Sequence, residues 1–314
     1  MLTILNVVIP VFLIVGAGYF CLKFKCLSAE TGEALTKFTQ NFAVPCLLFM
    51  ALYRLDFSAS FDGELMLAFY SGALISFGLG YLVARHGFKR RPGESVAIGF
   101  GAFFSNSVLL GLPIMERAFG SESLAPNYAL ISIHAPICYF CGITAMEFAR
   151  ADGRTIGETM QVATKAMFRN TISIACAAGF VANVSGLPIP APGEAALDMV
   201  ARAALPVALF GLGGVLSQYR IRSAINQALA IAGISLIIHP AITYVLTAHV
   251  FGLEQGFVRS AVVMAAMAPG VNAYVFASMY NRAQAETATA VILSTALSVI
   301  SASGWLWLLG GSLG

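Results

Sequence analysis

An all-α integral membrane protein of ten transmembrane helices is the fold class the sequence predicts, and three observations predict it. Charged residues make up 11% of the 314 and hydrophobic ones 58%, against roughly 25% charged in an ordinary soluble domain. Mean hydropathy is +0.81. Ten mainly apolar stretches, each near the ~20 residues that cross a hydrocarbon core, follow one another with short connections.

The first span covers 2–22; its start, MLTILNVVIP, lacks the basic residues of a signal peptide and is read as a retained helix. The second, third, fourth and fifth cover 34–53, 64–85, 95–116 and 126–148, with Lys89-Arg90-Arg91-Pro92-Gly93 turning the chain between the third and fourth. Polar 149–167 is the longest connection and is predicted to be a cytoplasmic linker. The remaining spans cover 168–186, 196–217, 224–250, 258–280 and 286–309, with the proline-rich Leu187–Gly193 between the sixth and seventh.

Lys and Arg collect on the cytoplasmic side of short-looped membrane proteins. When loops alternate sides along ten spans, 14 of the 18 basic residues fall on one side. The other side receives Arg54, Arg117, Arg202 and Arg259. A miscounted span would scramble this bias, so it supports both the count and an orientation with the two termini outside the cytoplasm.

The second span contains Val44-Pro45-Cys46-Leu47-Leu48-Phe49 and the seventh Leu205-Pro206-Val207-Ala208-Leu209-Phe210, a P-x-x-L-F match offset by 161 residues. Five spans separate the two. An odd number per half inverts one half relative to the other, so an inverted-topology repeat is expected, with 1–148 and 168–314 as its halves. That plan calls for interrupted helices at corresponding places. The fourth span holds Ser105-Asn106-Ser107 ahead of Gly111 and Pro113, and the ninth holds Pro269-Gly270-Val271-Asn272. Proline and glycine free backbone groups, which membranes tolerate only beside protein or a water-filled cavity. Half-helix N-termini meeting there attract an anion without a Lys or Arg. Asn106, Ser105, Gly111, Pro113, Pro269, Gly270 and Asn272 are therefore the expected substrate-binding residues. Glycine, proline and asparagine also serve plain helix packing, and it is their pairing on the fourth and ninth spans that favours a site.

These residues carry a family resemblance. Asn41-Phe42-Ala43-Val44-Pro45-Cys46-Leu47-Leu48-Phe49, Leu110-Gly111-Leu112-Pro113-Ile114, Ile238-His239-Pro240, Ala268-Pro269-Gly270-Val271-Asn272 and Ser294-Thr295-Ala296-Leu297-Ser298 are similar, in order along essentially the whole chain, to the auxin efflux carrier family. The resemblance implies a sodium/proton-antiporter-like fold with two inverted five-helix repeats. Spans 1, 2, 6 and 7 would form a scaffold that dimerises. Spans 3–5 and 8–10 would form a moving transport domain, with the fourth and ninth crossing at their breaks. It implies organic-anion transport, of auxin in plants and of dicarboxylates such as malonate in bacteria. The chain lacks the long central loop of the plant carriers and resembles the compact bacterial type.

His134 and His239, each near a proline inside a span, are candidates for carrying a coupled proton. A neutral histidine bonded to a carbonyl that the proline frees is the structural alternative. Ser294, Thr295 and Ser298 offer neutral oxygens, and helix packing explains them as well. No carboxylate sits clearly in mid-membrane. Cys138 and Cys141 form a C-x-x-C with no second pair, so no metal is expected. The absence of H-E-x-x-H, G-x-S-x-G and a P-loop argues against an enzyme or an ATP-driven pump, and no cofactor is expected. A net charge of +3 makes no case for nucleic acid. The expected function is secondary transport of a small carboxylate across the cell inner (plasma) membrane. The alternative is a sodium-coupled symporter of the bile-acid type, which sodium dependence of uptake would separate.

Overall fold

In the computed structural model, residues 2–150, 161, 171–186, 188–219 and 224–310 are described. Along them run α1 (Leu2–Lys23), α2 (Ala29–Tyr53), α3 (Gly63–Gly87), α4 (Pro92–Phe103), α5 (107–119), α6 (Ala125–Arg150), α7 (Thr171–Ser185), α8 (Ala191–Gln218), α9 (Ile225–Val250), α10 (Gln255–Ala265), α11 (Val271–Met279) and α12 (Gln284–Leu308). No strand of a sheet occurs among the described residues. Seven of these helices are long and apolar enough to cross a membrane. The fourth and ninth predicted spans are each divided, into α4 with α5 and α10 with α11. The predicted linker opens inside α6, which runs to Arg150, and the rest of it with the start of the sixth span lies outside the described residues, apart from Gln161.

Most boundaries follow the apolar runs. Two helices start five residues early: α8, predicted from 196 but starting at Ala191, and α2, predicted from residue 34 but starting at Ala29, where the Ser28 side chain accepts the Thr31 N–H as an N-cap. The first turns of α2, AETGEALTKF, are too polar to enter an apolar count.

Close packing joins the helices into two sets. α1 lies along α8, and α7 lies along α2, which also touches α8. A Cβ on Gly18 would collide with the Phe210 carbonyl, and one on Gly213 with the Val15 carbonyl, so these two glycines bring α1 and α8 into backbone contact. In the other set α3 packs on α4 and α9, α4 on α6, and α12 on α9 and α11. At one end of this second set Arg90 pairs with Glu286, which is largely buried at the start of α12. Large apolar side chains such as Leu13, Phe42, Val184, Met199 and Ile300 project outward, as lipid contact requires.

Three proline-freed carbonyls are met by side chains from other helices. Proline removes a donor from the turn before it. Pro10 leaves the Asn6 carbonyl open, and Arg117 donates to it. Pro45 follows a π-helical turn over Thr39–Ala43, and Thr171 Oγ1 donates to the Gln40 carbonyl at 3.0 Å. Pro240 leaves the Leu236 carbonyl open, and Trp305 Nε1 fills it at 2.9 Å.

Candidate functional site

The two interruptions cross each other as a short antiparallel pair. Ser105 faces Pro269, the Asn106 N–H donates to the Ala268 carbonyl at 2.9 Å, and the Gly270 N–H donates to the Phe104 carbonyl at 3.4 Å. Backbone groups released from helix are thus satisfied across the crossing, as an apolar surround demands. Pro269 occupies the one register in which neither residue of the pair needs to donate, so its missing N–H costs nothing. Its neighbours carry both hydrogen bonds.

Beyond the crossing, α5 and α11 begin. Asn106 and Gly270 precede them, and neither half-helix has a side-chain cap among the described residues. The Leu110 and Gly111 N–H groups return to the Asn106 carbonyl and the Ala273 N–H to that of Gly270. The earlier residues, Ser107, Val108 and Leu109 of α5 with Val271 and Asn272 of α11, all line one cavity of about 220 Å³. Two positive helix ends therefore open on the same space. Asn106 is buried, and its side chain lies beside Gly270, where an added methyl would make ordinary 3.5 Å contact. Ser105 and Ser107 share a 2.9 Å hydroxyl contact at the same wall. Tyr139 OH reaches toward Asn272 Oδ1 at 3.5 Å.

Of the residues expected at the site, Ser105, Asn106, Gly270, Asn272 and His134 line this cavity. Pro269 braces it through the crossing. Gly111 and Pro113 lie outside its lining: a Cβ on Gly111 would sit 2.7 Å from the Met264 sulfur, so that glycine admits a packed side chain. Pro113 faces a second, larger cavity. His239 is fully buried away from the cavity, and neither ring nitrogen has a hydrogen-bond partner among the described residues. The structural alternative weighed for it, a bond to a carbonyl that Pro240 frees, is not formed among the described residues, and Trp305 donates to the Leu236 carbonyl. Phe69 stands between the two imidazoles, 5.7 Å from each ring. Ser294, Thr295 and Ser298 are buried in α12 and do not line the cavity.

Sequence reasoning did not single out the opposite wall. Gln40, Asn41 and Val44 of α2, with Thr171 and Ile172 of α7, complete the cavity. The π-helical turn and the Thr171 bond fix that stretch of α2, and only the motif Asn41–Phe49 marked it in sequence. The second cavity, about 740 Å³, lies between α1, α2 and α8 on one side and α5 and α6 on the other. Arg54, Arg117 and Arg202 border it together with Glu116 and Asp198. Arg54 is held within the first set of helices, donating to Asp198 at 3.0 and 2.8 Å and to Glu194 at 3.0 Å.

An apolar helical protein, with paired half-helix ends opening on a cavity between two helix sets, is built as a multi-pass membrane transporter. Comparison agrees: residues 3–306 match the model of a family described as membrane transport protein, and the chain belongs to this family of auxin efflux carriers. It is 23% identical over 315 residues to a Rhizobium meliloti protein provisionally named a malonate transporter, covering 98% of this chain and 97% of that one. It is 28% identical over 314 residues to a Methanothermobacter thermautotrophicus protein named an uncharacterized transporter, covering 95% and 96%. An Escherichia coli K12 protein named as an uncharacterized transporter is 23% identical over 304 residues, covering 95% of each.

Proposed function

We propose that the protein is a secondary transporter that moves a small carboxylate across the plasma membrane by alternating access. One observation carries this reading: two uncapped half-helix N-termini and two asparagines open on a single cavity between the two helix sets. A carboxylate there receives backbone N–H groups, carboxamide donors and two positive helix ends. Its small volume suits a short mono- or dicarboxylate, in keeping with the malonate named for the Rhizobium relative.

In this reading ten spans form two inverted five-helix repeats, with the divided helices as the fourth and ninth. The set of α1, α2, α7 and α8 is a scaffold through which two copies pair. The remaining helices are the transport domain, and the basic bias puts both termini outside the cytoplasm. His134, on the cavity wall, and His239, behind Phe69, carry a coupled proton. Replacing either with Gln then flattens the dependence of uptake on the pH gradient.

The deciding experiment reconstitutes the protein in liposomes and measures counterflow of labelled malonate, with a panel of mono- and dicarboxylates screened by thermal stabilisation. Saturable counterflow and stabilisation by the same acid are expected. Failure of every carboxylate in both assays would sink the reading.

A further inference from the structure

Pro10 sits inside α1 and leaves the Asn6 carbonyl without its intrahelical donor. The donor comes from a distant part of the chain. Arg117, in the last turn of α5, donates Nη2–H to the Asn6 carbonyl and Nε–H to the Val7 carbonyl, both at 3.0 Å. This guanidinium ties together two helices that pack on one another beside the 740 Å³ cavity, and Pro10, Pro113 and Arg117 all stand in its wall.

The same half-helix carries the candidate site at its other end. Ser107 opens on the small cavity, and ten residues of helix, roughly 15 Å, separate it from Arg117. α5 is also tied to its own helix set. Arg259 of α10 lies 4.6 Å over the Phe119 ring and donates to the Leu309 carbonyl at 3.1 Å. A displacement of that set relative to α1 therefore has to break the Arg117 contact.

We propose that Arg117 is a gating residue of the transport cycle, holding α5 against α1 in the wall of the larger cavity by capping the carbonyl that Pro10 exposes on α1. This rests on the reading that α5 moves relative to α1. The proline makes the acceptor and the arginine reads it, so opening costs α1 an unsatisfied carbonyl until water reaches it. Arg117 is not among the described residues that line the small cavity.

The test needs no substrate, so a failure to find a transported acid would sink the transport reading and leave this one to be decided separately. Leu124 lines the larger cavity and is 5% exposed, which makes Leu124→Cys a reporter of opening. The full chain carrying it, in lipid nanodiscs, is treated with a charged maleimide, and modification at position 124 is followed by peptide mass spectrometry. Arg117→Gln is expected to raise the labelling rate roughly three- to tenfold, the worth of an exposed charge-assisted bond. Pro10→Ala returns an N–H to α1 and gives the Asn6 carbonyl its own partner, so it is expected to raise labelling similarly while leaving the melting temperature equal or higher. The double variant is expected to label no faster than either single one. A purely structural role for Pro10 predicts the opposite sign, with slower labelling in a stiffer helix. An unchanged rate in Arg117→Gln, no increase in Pro10→Ala, or effects that multiply in the double variant would each overturn the proposal.

Discussion

Trp305 Nε1 donates to the Leu236 carbonyl at 2.9 Å, and that carbonyl is the one Pro240 strips of its intrahelical donor. A tryptophan near the end of α12 thus repairs a defect in α9, 69 residues earlier in the chain. Trp305→Phe keeps most of the ring and leaves the carbonyl open, so a loss of about 1–2 kcal/mol is expected. Adding Pro240→Ala restores a backbone donor and should return most of it. Denaturation of the three purified variants in one detergent measures the cycle, and an equal loss with and without Pro240 would show that only ring packing matters.

The asparagines at the crossing are expected to matter more for binding than for folding. Asn106→Ala or Asn272→Ala removes a donor to a charged ligand, worth about 1.5–3 kcal/mol, or roughly 10- to 150-fold in affinity. Polar contacts between membrane helices average only about 0.6 kcal/mol in stability. Titration and melting of the same samples separate the two. Normal affinity with early melting would make them packing residues.

The α1–α8 contact depends on the absence of a side chain at Gly213, where a Cβ would overlap the Val15 carbonyl. Gly213→Val should cost at least the 1–3 kcal/mol typical of overpacking, seen as a lower melting temperature or loss of the folded elution peak. Gly16→Ala, three residues from Tyr19 on the same helix with nothing within 4 Å of the added carbon, should be silent. Equal behaviour of the two would mean the helices separate easily.

Membrane orientation is testable at exposed positions. Gly93 is buried against Arg282 and Met146, so a label there would report packing. Lys89→Cys and Gln218→Cys occupy exposed sites and should react with an impermeant reagent only from the cytoplasmic face. Reaction from outside alone would invert the topology.

The sequence made the long apolar helices and both interruptions readable because lipid imposes one requirement, about twenty apolar residues, on every crossing. Asn106, Gly270 and Asn272 stand out as candidates because a polar or flexible residue is conspicuous in such a run. What pairs across space left no local mark. Nothing near Arg117 in sequence announces Asn6, and nothing near Trp305 announces Leu236, although each proline did announce a carbonyl needing a partner. Gln40 and Thr171 were passed over because one sits before the apolar part of its helix and the other beside the polar linker.

The backbone pairing of Ser105 with Pro269 has an energetic consequence for a carrier. It fastens the start of α5 to the start of α11, so in the proposed alternating-access cycle the donors that would greet an anion keep their mutual arrangement. A ligand held equally well in two states shifts neither. If the pair travels as a unit, its share of the affinity is the same on both faces of the membrane, and any preference for import or export must come from gradients or from the wall formed by Gln40 and Asn41.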